Sequence, residues 1–197
     1  MPRIILASGS PRRAELLSQI GLPFEVSVPN VDETPLTRES PDLYVTRLAR
    51  AKALAATQQG CVSIGADTSV ILDGRILGKP RDRDDGISML KVLGGRSHQV
   101  LTGIAVSDGQ RTESLVVGSR VTFRDLDPEE VQAYWDTGEG VDKAGSYGIQ
   151  GIGSIFAKSI QGSFSAVVGL PLTETESLLR AFGVDTWKLR KLHLGYG

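Results

Sequence analysis

Apolar residues in this chain come as short unbroken runs and as helix-spaced sets, with glycine, proline and small polar residues between them. The run Ile4–Ala7 reads as a buried strand. Ser10 and Pro11 then open a helix as N-cap and first residue, and Gly21 closes it. Phe24–Val28 reads as a second strand. Ser40-Pro41 repeats the cap-plus-proline signal for a helix running to about Thr57, with Leu43, Arg47, Arg50 and Ala51 at helical spacing. Val62–Ile64 is predicted as a short strand ending at Gly65-Ala66-Asp67. Thr68–Leu72 and Arg75–Leu77 flank Asp73-Gly74, a strong hairpin signal.

The second half continues in the same way. Asp82 to Leu93 reads as a helix stopped by Gly94-Gly95. Ser97–Ser107 and Arg111–Arg124 are long strand-like runs around Asp108-Gly109, a second hairpin. Asp127-Pro128-Glu129-Glu130 forms a capping box whose helix ends near Thr137. A glycine-rich stretch, Gly138–Gly153, precedes an expected strand over Ser154–Ile160. Thr173–Phe182 reads as a helix ended by Gly183, and the basic tail from Lys188 as frayed. Crossovers and hairpins are mixed, so the fold class is α/β, with a long, mixed, twisted sheet. The length of 197 residues suits one domain built as two lobes around a cleft.

Composition narrows the chemistry. Lys and Arg number 22 and Asp and Glu 23, a net charge of -1, without the basic excess of a nucleic-acid binder. One cysteine excludes an internal disulfide and any multi-cysteine metal site; with two histidines, a metal would need oxygen ligands, as Mg²⁺ or Mn²⁺ accept. Ile4–Ala7 is too short for a signal peptide or a membrane span, so the cytoplasm is expected and no membrane partner. Glycine numbers 23, where ordinary usage of about 7% would give roughly 14.

Ser8-Gly9-Ser10-Pro11-Arg12-Arg13 leads from a strand into a helix, which points free backbone N–H groups at an anion. Arg12 and Arg13 occupy the first turn, where the helix dipole disfavours positive charge. A phosphate between them and the helix would explain this; so would a plain cap with solvated arginines. Asp67 lies just after an apolar strand, in the position of a general base or metal ligand, or of a turn former. Gly78-Lys79-Pro80 resembles the end of a phosphate-binding loop but lacks its spacing and its Ser/Thr; Lys79 can still contact phosphate as a point charge. Asp32-Glu33, in a proline-rich loop, could offer hard oxygens to a cation or simply be solvated. Lys52 follows Arg47 and Arg50 on a charged helix. His98 reads as a structural histidine and Cys61 as a small buried hydrophobe.

Together these blocks closely resemble the Maf family of nucleotide pyrophosphatases: Ser8–Arg13, Asp32-Glu33, Arg47–Lys52, Gly65–Thr68, Gly78–Pro80 and Asp142–Gly151, from Ile4 to about Phe182. The resemblance implies an inosine-triphosphatase-like fold over the chain as a single domain. It also implies cleavage of a nucleoside triphosphate to monophosphate and pyrophosphate with a divalent cation. It makes Asp67 the proton acceptor, Ser8, Ser10, Arg13, Lys52 and Lys79 the substrate-binding residues, and Glu33 with Asp67 the metal ligands. The Gly148-Ile149-Gln150-Gly151 run, with Arg12 and Thr68, looks like the branch acting on dTTP and UTP; an amide at Gln150 matches a uracil or thymine edge. Gly9, Gly65, Gly78, Gly145, Gly148 and Gly151 are expected where backbone approaches the nucleotide. The alternatives are the sibling branch acting on N7-methyl-GTP and a non-catalytic regulator of septum formation and division arrest. A homodimer is the family's expectation.

Overall fold

A computed structural model describes residues 2–195. Arg3–Ala7 (β1) is followed by Pro11–Gln19 (α1), Glu25–Ser27 (β2) and Pro41–Ala55 (α2). Cys61–Leu72 (β3), Arg75–Leu77 (β4), Arg83–Leu93 (α3), Ser97–Ser107 (β5) and Thr112–Phe123 (β6) come next. Pro128–Asp136 (α4), Ala157–Gln161 (β7), Phe164–Val168 (α5), Leu172–Ala181 (α6) and Thr186–Leu194 (α7) complete the order. The seven strands make one mixed sheet in the order β2-β1-β3-β5-β6-β7, with β4 on β3. β1 runs parallel to β2 and β3, while β3–β4 and β6–β7 are antiparallel. The mixed α/β class read from the sequence is therefore the observed one.

The chain divides into two compact units, and β3, β5 and β6 each contribute residues to both. The first unit comprises residues up to Asp67, Thr102–Val117 and residues from Gly169. Its core is built on β1, where Ile4, Ile5, Leu6 and Ala7 are all buried, and on the small-residue face of α2, where Ala49 and Ala53 cluster with Ala105. Small side chains let the helix lie close on the sheet. A Cβ at Gly65 would stand 2.2 Å from the Ala49 carbonyl and 2.5 Å from the Ala53 nitrogen. The second unit comprises Thr68–Leu101 and Gly118–Val168. Its core is aromatic: Phe123 packs near Tyr147, Phe156 and His98, and Tyr134 meets Phe156 edge-on at 4.8 Å.

Four expectations change. β3 does not end at Gly65–Asp67 but continues through it to Leu72, because Gly65 serves helix packing rather than a turn. The strand expected over Ser154–Ile160 is a 3-10 turn, Ile152–Phe156, followed by β7. The Ile152 and Gly153 N–H groups donate out of the segment to the Glu139 carboxylate, which favours the turn. The tail is helical rather than frayed: Asp185 caps α7 through the Lys188 N–H, and Arg190 donates to the Ile20 carbonyl and to Glu176, all at 2.7–3.0 Å. The cap is local, but the Arg190 ties are long-range and leave no local trace. Finally, α5 was not foreseen.

Candidate active site

β1 ends at Ala7, opposite Gly65 of the parallel strand β3. β3 continues past that point through Asp67 to Leu72, while Ser8–Ser10 leads from β1 into α1. Carboxyl ends of parallel strands are the usual ligand position in an open α/β sheet. Ser8 is buried, and its hydroxyl oxygen accepts from the Ser10 N–H at 3.2 Å and from Arg13 Nη1 at 3.1 Å. Arg13 Nε donates to the Gly169 carbonyl at 2.7 Å. These bonds fix the guanidinium fork. Burial is the largest influence on Arg13 and lowers its pKa; Asp67 and Glu33 oppose this, and Arg12 adds to it. Ser10 occupies the N-cap of α1, but its hydroxyl does not cap, and no acidic residue sits in the first turn. The helix start thus lacks the negative charge that its dipole favours.

The centre of the site is one ammonium between two carboxylates. Lys52 Nζ lies 2.8 Å from Asp67 Oδ1 and 2.6 Å from Glu33 Oε1. The Lys52 and Asp67 side chains are 12% and 11% exposed, against 47% for Glu33, so the Lys52–Asp67 pair is the drier of the two contacts. Burial pushes the Asp67 carboxyl above its ordinary range; Lys52 and Arg13 pull it back and Glu33 pushes it further up. Desolvation winning over two cations gives a carboxylate that holds a proton more readily than usual.

The close approach at Gly65 is what lets Lys52 of α2 reach Asp67 of β3. The same helix holds the loop that carries Glu33. Tyr44 donates its hydroxyl to the Glu33 carbonyl at 2.9 Å, Arg47 Nη2 donates to the Thr34 carbonyl at 3.1 Å, and Arg47 Nε meets Glu39 at 2.6 Å. Arg47 holds the Glu39 carboxyl down at about 2, and burial pushes the Tyr44 phenol up to about 12. The sequence reading missed Tyr44, Glu39 and the Gly169 carbonyl, and placed Arg47 only on a charged helix face. The i, i+3 spacing of Tyr44 and Arg47 was the available signal.

Thr68, Lys79 and Gln150 belong to the second unit. Lys79 is exposed just after β4, and Gln150 is exposed in the glycine-rich loop. The Gly145 N–H donates to the Gly78 carbonyl at 3.1 Å and ties that loop to the segment bearing Lys79. His98 is structural: Nε2 lies 2.8 Å from the Tyr147 hydroxyl, and burial pushes its pKa down to about 4. Cys61 is buried. Of the expected residues, the structure gathers Ser8, Ser10, Arg13, Glu33, Lys52 and Asp67 in the first unit, with Arg12 in electrostatic reach of Arg13.

Residues 3–182 match the family of Maf-like proteins. This chain belongs to that family. A dTTP/UTP pyrophosphatase of Vibrio cholerae serotype O1 is 52% identical over 183 residues, covering 91% of this chain and 98% of that protein. The protein of the same name from Pseudoalteromonas atlantica is 51% identical, covering 89% of this chain and 95% of its own. That from Hahella chejuensis is 46% identical, covering 94% of each. Among solved structures, the Ham1 protein of Staphylococcus aureus aligns at 19% identity and a TM-score of 0.44, over 62% of this chain and 72% of its own.

In this Maf-like chain, oxygen donors suited to a hard divalent cation are present. Glu33 and Asp67 converge on the single cation of Lys52. Among the described residues no group of three or more His, Cys, Asp or Glu side chains could hold a metal ion. Two carboxylates, with substrate phosphate and water oxygens completing the shell, is the ordinary provision for Mg²⁺.

Proposed function

We propose that this chain hydrolyses dTTP and UTP to the nucleoside monophosphate and pyrophosphate, with Asp67 as proton acceptor. The observation that carries this reading is the set of relatives of that name at about half identity over nearly the whole chain. The Asp67–Lys52–Glu33 group, with Asp67 buried, supports it chemically.

Attack of a deprotonating water at the α phosphorus brings negative charge onto an already anionic triphosphate, so that charge must be offset. Arg13, fixed by Ser8 and Gly169, offers a rigid fork to phosphate oxygens. Ser8 and Ser10 add hydroxyl and backbone donors at the start of α1. Asp67, whose burial favours proton uptake, takes the proton of the attacking water at a carboxylate oxygen. Lys52 holds that carboxylate in place and stabilises charge on the transferred phosphorus. Mg²⁺ or Mn²⁺, held by Glu33 and Asp67, would supply charge neutralisation at the phosphates. Lys79 is proposed as a phosphate contact, and Arg12, Thr68 and Gln150 as specificity residues, on the family resemblance. The proposal treats the chain as one functional domain, acting in the cytoplasm as a homodimer; no helix among the described residues is long and apolar enough to cross a membrane.

The test is pyrophosphate release from dTTP, UTP, dCTP, dATP, dGTP and N7-methyl-GTP with Mg²⁺ or Mn²⁺. The expected result is preference for dTTP and UTP. Preference for N7-methyl-GTP would move the chain to the sibling activity, and no release from any nucleotide would support a non-catalytic regulator.

A further inference from the structure

The loop that bears Gln150 is organised by a carboxylate outside every motif considered so far. Glu139 accepts from the Tyr134 hydroxyl at 2.9 Å, the Ile152 N–H at 2.7 Å and the Gly153 N–H at 2.9 Å. The Tyr134 oxygen in turn accepts from the Gly148 N–H at 3.0 Å. Backbone on both sides of Gln150 is therefore pinned to one carboxylate and one phenol. Two glycines make this wrapping feasible. A Cβ at Gly148 would stand 2.9 Å from a Glu139 oxygen, and one at Gly151 only 2.1 Å from the other. These glycines give room to Glu139. Lys143 also donates to the Glu139 carbonyl, closing the turn beneath the carboxylate.

Glu139 is half-buried, and the Lys143 charge adds to what its hydrogen bonds do for it. The hydrogen bonds from Gly153, Ile152 and Tyr134 outweigh its desolvation and hold its carboxyl below the ordinary range. Gln150 itself is exposed. A long side chain on a free glycine-rich loop would sample many orientations, and base selection needs one.

We propose that Glu139, through Tyr134 and the backbone N–H groups of Gly148, Ile152 and Gly153, is the positioning residue that aims Gln150 and so sets the pyrimidine preference. That role presupposes that Gln150 reads the base, as proposed above. Glu139 does not touch the substrate.

The experiment compares wild type, Glu139→Gln, Tyr134→Phe, Gln150→Ala and the Glu139→Gln/Gln150→Ala double variant in steady-state kinetics on dTTP, UTP, dCTP and dGTP. Hydrogen exchange over residues 148–153 is measured alongside. Glu139→Gln keeps the shape and one acceptor oxygen, but sets an amide donor against a backbone N–H, that of Ile152 or of Gly153, because the two bond different oxygens. The expected result is a loss of about tenfold in kcat/KM for dTTP and UTP relative to dGTP, carried mainly by KM. Protection falls at residues 148–153, Tyr134→Phe shows a smaller loss of the same kind, and the double variant is no less selective than Gln150→Ala alone. A uniform fall on all four nucleotides, or unchanged selectivity in an exchange-destabilised loop, would overturn the role of Glu139. A wild-type chain that releases no pyrophosphate from dTTP or UTP would overturn the functional reading itself, a result readable before any variant is made.

Discussion

Asp67 and Glu139 are both carboxylates reached through glycines, and they are handled in opposite ways. Gly65 lets helix α2 press onto β3, so that Asp67 is met by charged side chains, Lys52 directly and Arg13 at longer range. Gly148 and Gly151 let a loop fold around Glu139, which is met by neutral donors: two backbone N–H groups and a phenol. Burial is the largest influence on both: at Asp67 it wins and raises the pKa, whereas at Glu139 the hydrogen bonds, helped by Lys143, together outweigh it and lower the pKa. A carboxylate kept by dipoles has little tendency to take a proton and serves as an anchor. One that burial has made more basic than usual, beside cations, is suited to proton transfer.

The contrast can be broken most strongly at Asp67. Asp67→Asn is expected to fold, by circular dichroism, and to bind nucleotide, yet to lose turnover by about 10³-fold. Lys52→Met comes next, with an expected fall in kcat of about 10²-fold. It also changes the pH profile. Activity needs Asp67 ionised, so the acid limb of kcat/KM should lie above the ordinary aspartate value of about 3.9 in wild type. Removing Lys52, which pulls the pKa down, should move that limb further up; a limb that moves down would contradict the assignment. A third prediction concerns the frame. Gly65→Ala would put a methyl against the Ala49 and Ala53 backbone, and is expected to cost about 2–3 kcal/mol in denaturant unfolding and to separate Lys52 from Asp67.

The smallest effect is on stability against pH, and its sign differs between the two groups. Asp67, raised in the fold, favours the folded state below its unfolded pKa and loses that contribution as pH rises through the folded value. Glu139, lowered in the fold, contributes above its unfolded pKa and loses the contribution as pH falls through the folded value. Acid unfolding should therefore be less steep in Glu139→Gln than in wild type, and steeper in Asp67→Asn.

Local signals carried most of the fold. Both Asp-Gly hairpins, the Ser-Pro and Asp-Pro helix starts and the buried run of β1 are written in neighbouring residues, and they appear where expected. α7 was hidden because what orders it is remote: Arg190 reaches the Ile20 carbonyl and Glu176. The first-unit group of the site was legible through the family's motifs, since Ser8, Arg13, Glu33, Lys52 and Asp67 do meet. The glycines were legible in number but not in purpose. Gly65, Gly148 and Gly151 lie against the chain's own atoms, which a count of glycines cannot distinguish from contact with a ligand. Glu139 carried no signal, because two of its partners are backbone N–H groups and the third is a tyrosine hydroxyl in no motif.

The central claim is that Asp67 deprotonates a water that attacks the α phosphorus of a pyrimidine triphosphate. Single-turnover hydrolysis of dTTP in ¹⁸O-labelled water tests it most directly, in wild type and in Asp67→Asn. The expected result is label in the nucleoside monophosphate, none in pyrophosphate, and no product from Asp67→Asn on the wild-type timescale. Label in pyrophosphate, release of inorganic phosphate, or an Asp67→Asn variant that turns over at the wild-type rate would contradict it.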